Sequence, residues 1–233
     1  MTRTKIAAVA VGLLVLASTP FLAPLVLRRM SFFHVRRVEI IGARYLTPSD
    51  IIARLNVDTL ASVWDPTDPL VSRVEKYPGV ARANVRRKLP GTLVVEIVER
   101  VPVALVSAPT GLRAYDDRGT ALPIDPTRVT VDAPVLLERD VPLLKLLGYI
   151  RAGMPAMYAR VSAARRPGRG EIALDLKPAG SLASQTETVR ANDDLTLQRL
   201  ADVEPVEQDL AKKQMRATEI DLRYRDQVIA RLP

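Results

Sequence analysis

With no cysteine and a single histidine, His34, this chain has few residues that could carry chemistry. Thiol catalysis, disulfides and cysteine-based metal sites are excluded, and a metal site would have to be built from carboxylates. A catalytic triad would have to recruit His34, which sits in a strand-like run just after an apolar leader; a surface histidine is the simpler reading. Asp116-Asp117 and Asp193-Asp194 are adjacent acids. Glycosidase-type work needs two carboxyls converging across a cleft, whereas neighbours in a turn point apart. Turn chemistry accounts for Asp116 and Asp117, and service at a helix N-terminus for Asp193 and Asp194. Gly168 and Gly170 lie in the turn "RRPGRG" rather than between a strand and a helix, so they make no phosphate cradle.

What remains is the chemistry of binding. Arg82, Arg86 and Arg87 crowd one hairpin strand and form the expected contact surface of the first domain, facing a partner or acidic lipid headgroups. At the other end, Val228, Ile229, Ala230 and Arg231 read as a last short strand with no element after it. Such a strand is expected at a sheet edge, where unpaired N–H and C=O groups can accept an added strand. Tyr224 and Asp226, in the preceding turn, are expected to tune that contact. No cofactor and no small-molecule substrate is expected.

The net charge is +8. Aromatic residues make up 4% of the chain, and none interleave with the basic clusters as a nucleic-acid stacking platform requires. The basic balance therefore suits the surface of an acidic membrane rather than nucleic acid.

Ile6 to Leu27 carries no charge and, at about 1.5 Å per residue, is long enough to cross the ~30 Å hydrocarbon core. It reads either as a membrane anchor behind a cytoplasmic tail, 1–5, or as a signal peptide with a long apolar region. Pro20 and Pro24 spoil the cleavage positions near its end. Either reading places the body outside the cytoplasm. Arg28, Arg29, Arg36 and Arg37 beyond the segment outnumber Arg3 and Lys5 before it, and on a positive-inside count they argue for the opposite orientation.

The elements behind these residues begin with a strand in "FFHVRRVEII", ended by Gly42. In "TPSDIIARL", Thr47 caps a helix, Pro48 opens it and Asp50 falls three after the cap. Asp68 caps a second helix that buries Leu70, Val71 and Val74 and stops at Pro78-Gly79. A hairpin follows, with Ala81, Ala83 and Val85 inward, Arg82, Asn84 and Arg86 outward, a turn at 89–92, and Leu93, Val95 and Ile97 inward on the return. Trp64 is expected to pack over this domain. The order β-α-α-β-β predicts an α+β arrangement over 32–101.

From 102 to 233 the pattern is β-rich with flanking helices. "VPLLKLLGYIRAG" reads as a helix facing inward through Leu143, Leu144, Leu147 and Ile150. "MYARVSAA" and "EIALDL" flank the "RRPGRG" turn as β segments. Asn192 is expected to cap a helix carrying Leu195, Leu197 and Leu200, with a polar helix over 206–216 after it. A strand in "TEIDL", a turn at 225–227 and the last strand close the chain.

Two stretches carry a resemblance. "FFHVRRVEIIGARYLTPSDIIARL" resembles the start of a POTRA domain of the FtsQ/DivIB type. "VEKYPGVARANVRRKLPGTLVVEIVERVPVAL" resembles its hairpin, with Pro78, Val80, Ala83, Val85, Arg87, Pro90, Thr92, Leu93, Val95, Glu99, Pro102 and Ala104 in the family's places. Gly79 and Leu89 replace the usual aromatics. The ending "IDLRYRDQVIARLP" is similar to the family's close. The resemblance implies a non-catalytic, single-span inner-membrane protein of the division septum. Its N-terminus is cytoplasmic and its body periplasmic, linking early and late division proteins. It would bind FtsB- and FtsL-like partners, and touch FtsW- and FtsK-like proteins. POTRA domains also occur in envelope assembly and secretion components, the alternative reading. Those need several POTRA units or a long run of amphipathic strands, and about 130 residues with helices among them follow here. A membrane-anchored envelope enzyme is the third reading.

Overall fold

The computed structural model describes Leu13, Ala17 and residues 25–58, 60–177 and 186–233. The expected span, 6–27, falls outside these residues except for Leu13, Ala17 and 25–27. Among the described residues no helix is long and apolar enough to cross a membrane. The chain divides into two compact units, Met1–Glu99 and Arg100–Pro233.

In the first unit, β1 (Arg37–Ile41), α1 (Pro48–Leu55), α2 (Asp68–Glu75), β2 (Val80–Lys88) and β3 (Thr92–Glu99) follow in that order. The sheet order is β1-β3-β2, with β1 parallel and β2 antiparallel to β3. The α1 start follows from local chemistry: the Thr47 hydroxyl accepts from Asp50 N, and Pro48 occupies the first turn. Ile51, Leu55 and Val74 pack with Val85, Leu93, Val95 and Ile97 into one core, with Trp64, Leu70 and Val71 partly buried against it. The expected pair Val85 and Val95 stands in register across the hairpin, both buried.

Several expectations shift. Thr67, not Asp68, is the N-cap of α2, and Asp68 is its first residue. Phe32 belongs to a single 3-10 turn, Ser31–Phe33, and the strand begins only at Arg37. Ala81 faces out, not in. A bulge between Val80 and Arg82 inserts one residue into β2, so Val80 and Ala83 are both buried although three apart. His34 is half-buried, and its backbone bridges to that of Ser62.

The second unit is built on an eight-stranded sheet. Its strands are β4 (Ala104–Ala108), β5 (Gly111–Tyr115), β6 (Val135–Leu136), β7 (Val161–Arg165), β8 (Glu171–Leu176), β9 (Glu187–Asn192), β10 (Glu219–Asp221) and β11 (Ile229–Arg231). The order across the sheet is β11-β10-β9-β8-β7-β6-β4-β5. The helix α3 (Val141–Gly153) forms as expected, with Asp140 accepting from Leu143 N at 2.9 Å. It buries Leu143, Leu144, Leu147 and Ile150 in a core shared with Ile172, Leu174, Val189 and Ile220. The mixture of sheets and packed helices is the α+β class.

Here too the local reading needs correction. "PAMYAR" is a short helix, α4 (Pro155–Arg160), set off from α3 by Met154, and only Val161 onward is strand. Asn192 ends β9 and caps nothing. The cap is Thr196, whose hydroxyl accepts from Arg199 N, and α5 runs Leu197–Ala201. Asp193 therefore does not serve a helix N-terminus; it pairs with Arg166. The polar helix, α6, lies at Val203–Lys212, earlier than expected.

Candidate functional site

The last strand, β11, is a terminal strand of the large sheet, and among the described residues it pairs only with β10. Its register sets Arg231 against Glu219, Ala230 against Ile220 and Ile229 against Asp221. Alternation divides its side chains between two faces. Val228, just before the strand, packs against the core, and Ala230 is half-buried, whereas Ile229 and Arg231 are exposed. Tyr224, Asp226 and Leu232 are exposed around it. A backbone edge unpaired among the described residues thus carries the exposed apolar side chain of Ile229, with Tyr224 and Leu232 exposed nearby in the chain.

The edge is backed by an ionic ladder running across four strands. Arg231 lies 3.6 Å from Glu219, Arg190 lies 3.7 Å from Glu219 and 2.9 Å from Glu171, and Arg223 lies 2.6 Å from Glu171. Arg223 also grips Asp221 at 2.6 Å. Hydrogen bonds from Arg190 and then Arg223 hold the Glu171 carboxyl below its usual range. The bond from Arg223 does the same to Asp221. The Glu171 and Asp221 carboxyls are thus ionised at neutral pH. Beside it lies a shallow groove of about 410 Å³, lined by Arg165, Ala173, Thr188, Arg190, Glu219 and Arg231 among others.

Arg199, on α5, was not among the expected site residues, yet it holds the approach to β11. Its guanidinium donates to the carbonyls of Leu222, Tyr224 and Gln227 and to the Asp202 carboxylate. Spacing along the chain gives no sign of this, because the carbonyl partners lie more than twenty residues away.

The three hairpin arginines do not form one surface. Arg82 and Arg86 share the solvent face of β2, Arg82 opposite the exposed Val98 and Arg86 paired with Glu96. Arg87 turns to the other face, where its Nε donates to the Val63 carbonyl at 2.7 Å and its Nη2 to that of Asp65 at 3.1 Å. It holds the 63–65 loop to the hairpin. At the far end of β3, the Glu99 carboxylate accepts from the backbone N–H groups of Arg44, Tyr45 and Leu46, at 3.0, 2.8 and 2.9 Å. That arrangement is an anion nest closed by the chain's own side chain.

Residues 33–100 match the family described as POTRA domain, FtsQ-type. The cell division protein FtsQ of Rhodothermus marinus is 31% identical over 212 residues, 84% of this chain and 76% of that protein. FtsQ of Zymomonas mobilis is 30% identical over 57% of this chain, and FtsQ of Mycolicibacterium smegmatis 29% over 74%. Of those two relatives the chain spans less than half, 42% and 49%. With an FtsQ-type POTRA domain in its first unit and a relative of this identity matched over most of both chains, the protein belongs to the FtsQ family of cell division proteins.

Proposed function

We propose that this protein is a non-catalytic scaffold of the division machinery. In this reading residues 6–27 anchor it in the inner membrane at the septum, with 1–5 in the cytoplasm and the body outside. The POTRA domain covers 32–101 and the β-rich domain 102–233. The scaffold links early and late division proteins by binding small FtsB- and FtsL-like partners. Contacts with FtsW- and FtsK-like proteins would go through the POTRA domain, with Arg82 and Arg86 on its exposed face.

The observation that carries the reading is the position of β11. A strand at the sheet edge offers backbone groups to an extended partner segment, and side-chain contacts then set specificity. Ile229, Ala230 and Arg231 supply the strand, Val228 leads into it, and Tyr224 and Asp226 border it. An incoming strand could rest acidic side chains on Arg231 and apolar ones on Ile229 and Leu232. Membership of a cell-division family supports the cellular setting.

The test uses the tagged full chain, purified from detergent-solubilised membranes, with co-purifying proteins identified by mass spectrometry. Small single-span division proteins should be recovered with the native chain and lost when Ile229 is changed to Asp. Equal recovery with both would refute docking at this edge. The orientation is tested separately by a reporter fused after Pro233; activity only in the cytoplasm would reverse the topology.

A further inference from the structure

One end of the first unit combines exposed apolar side chains with a ring of cations. Phe32, Leu60 and Leu89 are 55%, 70% and 54% exposed. They come from three separate segments that the backbone ties together. Val35 N donates to the Ala61 carbonyl and Val63 N to that of Phe33, both at 2.9 Å. Arg36 N donates to the Gly91 carbonyl at 2.8 Å. The 28–36 segment, the 60–64 loop and the 89–91 turn therefore share one end of the sheet. A Cβ on Gly91 would stand 2.7 Å from the His34 carbonyl, so the turn lies tight against the segment.

Arg28, Arg29, Arg36, Arg37 and Lys88 are exposed around these apolar residues. The acids at this end are largely engaged. Lys88 pairs with Glu39 at 3.1 Å, the Asp65 carboxylate accepts from Ser62 N at 2.8 Å and lies 3.8 Å from Arg28, and Asp58 accepts from Leu60 N at 3.1 Å. Free positive charge beside protruding leucine and phenylalanine is the composition of a surface that seats at a headgroup boundary. There the cations meet phosphates and the apolar tips reach the acyl chains. Chain connectivity names the occupant. The charge-free stretch ends at Leu27, and the next residue, Arg28, donates through Nε to the Trp64 carbonyl at 2.9 Å. Whatever apolar phase holds that stretch begins within a few residues of Leu60.

We infer that this end of the POTRA domain docks directly onto an anionic lipid surface, with Leu60 and Leu89 entering the headgroup layer and Arg36 and Arg37 binding lipid phosphates. The inference rests on the reading that residues 6–27 cross the membrane. Docking would fix the tilt of the domain instead of leaving it to swing on its anchor.

The absence of cysteine makes the test clean. The full chain is reconstituted into phosphatidylcholine vesicles with or without phosphatidylglycerol. It carries Leu60→Cys, Leu89→Cys or, as a reference, Val98→Cys. Val98 is exposed, in the same domain, and about 20 Å along β3 from the turn. Each cysteine bears an environment-sensitive fluorophore, and the vesicles carry a lipid-attached quencher. Positions 60 and 89 should be quenched several-fold more than 98 in anionic vesicles, and the difference should collapse when Arg36 and Arg37 are changed to Glu. Equal quenching at all three positions, in chains that resist alkaline extraction, would overturn the docking and leave the anchor standing. Release of the chain by alkali would overturn the anchor itself, and the docking with it.

Discussion

Arg199 Nη2 donates to the carbonyl of Gln227 at 2.6 Å, tying α5 to the turn that delivers the chain into β11. The same guanidinium reaches the Leu222 carbonyl at 3.3 Å and Asp202 Oδ2 at 2.6 Å. One rigid fork thus holds both ends of the 222–227 turn. A lysine presents a single point charge and cannot span these acceptors. Arg199→Lys should cost about 1–2 kcal/mol through lost charge-assisted bonds. The sharper readout is local. Amide exchange at Ile229–Arg231 should quicken more than exchange in β8, and co-purification of partners should weaken. Unchanged protection in β11 would show that the turn holds itself.

In an extended strand the N–H groups of neighbouring residues point to opposite edges; Ile229 opens β11 and Val228 immediately precedes it. Proline removes an N–H and is tolerated only where that group faces away from the ladder. Of Val228→Pro and Ile229→Pro, one should loosen the end of the domain. The other should keep the native melting temperature and abolish partner co-purification. Thermal unfolding beside co-purification separates them. Wild-type partner recovery with both prolines would place the docking strand elsewhere.

Glu99 is expected to be a structural acid. Its carboxylate satisfies three successive N–H groups that lead into α1. Glu99→Ala strands all three and should cost about 1–3 kcal/mol, measured by denaturant unfolding of the full chain in detergent. Reversing Arg82 to Glu, on the solvent face of the same hairpin, should cost under about 1 kcal/mol.

The Glu187 carboxyl is buried, with one oxygen lacking a hydrogen-bond partner among the described residues. Burial, reinforced by the carboxylate of Glu207, pushes it from 4.5 up to about 8, while Arg160 pulls it down. Arg160 itself is bound to Glu207 on α6. The folded state holds this proton more tightly than the unfolded state. The stability it confers is therefore complete below about pH 4.5 and is lost as the pH rises toward 8. Glu187→Gln should raise the melting temperature at pH 8 and leave it nearly unchanged at pH 5. The depressed carboxyls of Glu171 and Asp221 act in the opposite sense, losing stability only as the pH falls through the acid range. A melting curve at pH 8 indifferent to the substitution would mean Glu187 is already ionised without cost.

Much of the local architecture was legible in the amino-acid sequence because its causes are local. Thr47-Pro48 marks a helix start through a bond spanning three residues, and the alternation of Leu93, Val95 and Ile97 marks a half-buried strand whatever it pairs with. The resemblance in the hairpin and the closing "IDLRY" also needed only the sequence. Tertiary structure decided what depends on distant partners. The bulge that turns Ala81 outward follows from β2 pairing with β3. Whether Arg86 and Arg87 make a surface or a brace depends on Glu96 across the hairpin and on the 63–65 carbonyls, the latter more than twenty residues away. Asn192 had the right type for a helix cap, but β8 drew it into the ladder opposite Glu171 and left the cap to Thr196. The final strand looked like an edge from its place in the chain. The parallel pairing of its partner β10 with β9, the ionic ladder behind it and the grip of Arg199 were set by packing, since they join residues that meet only once the sheet has formed.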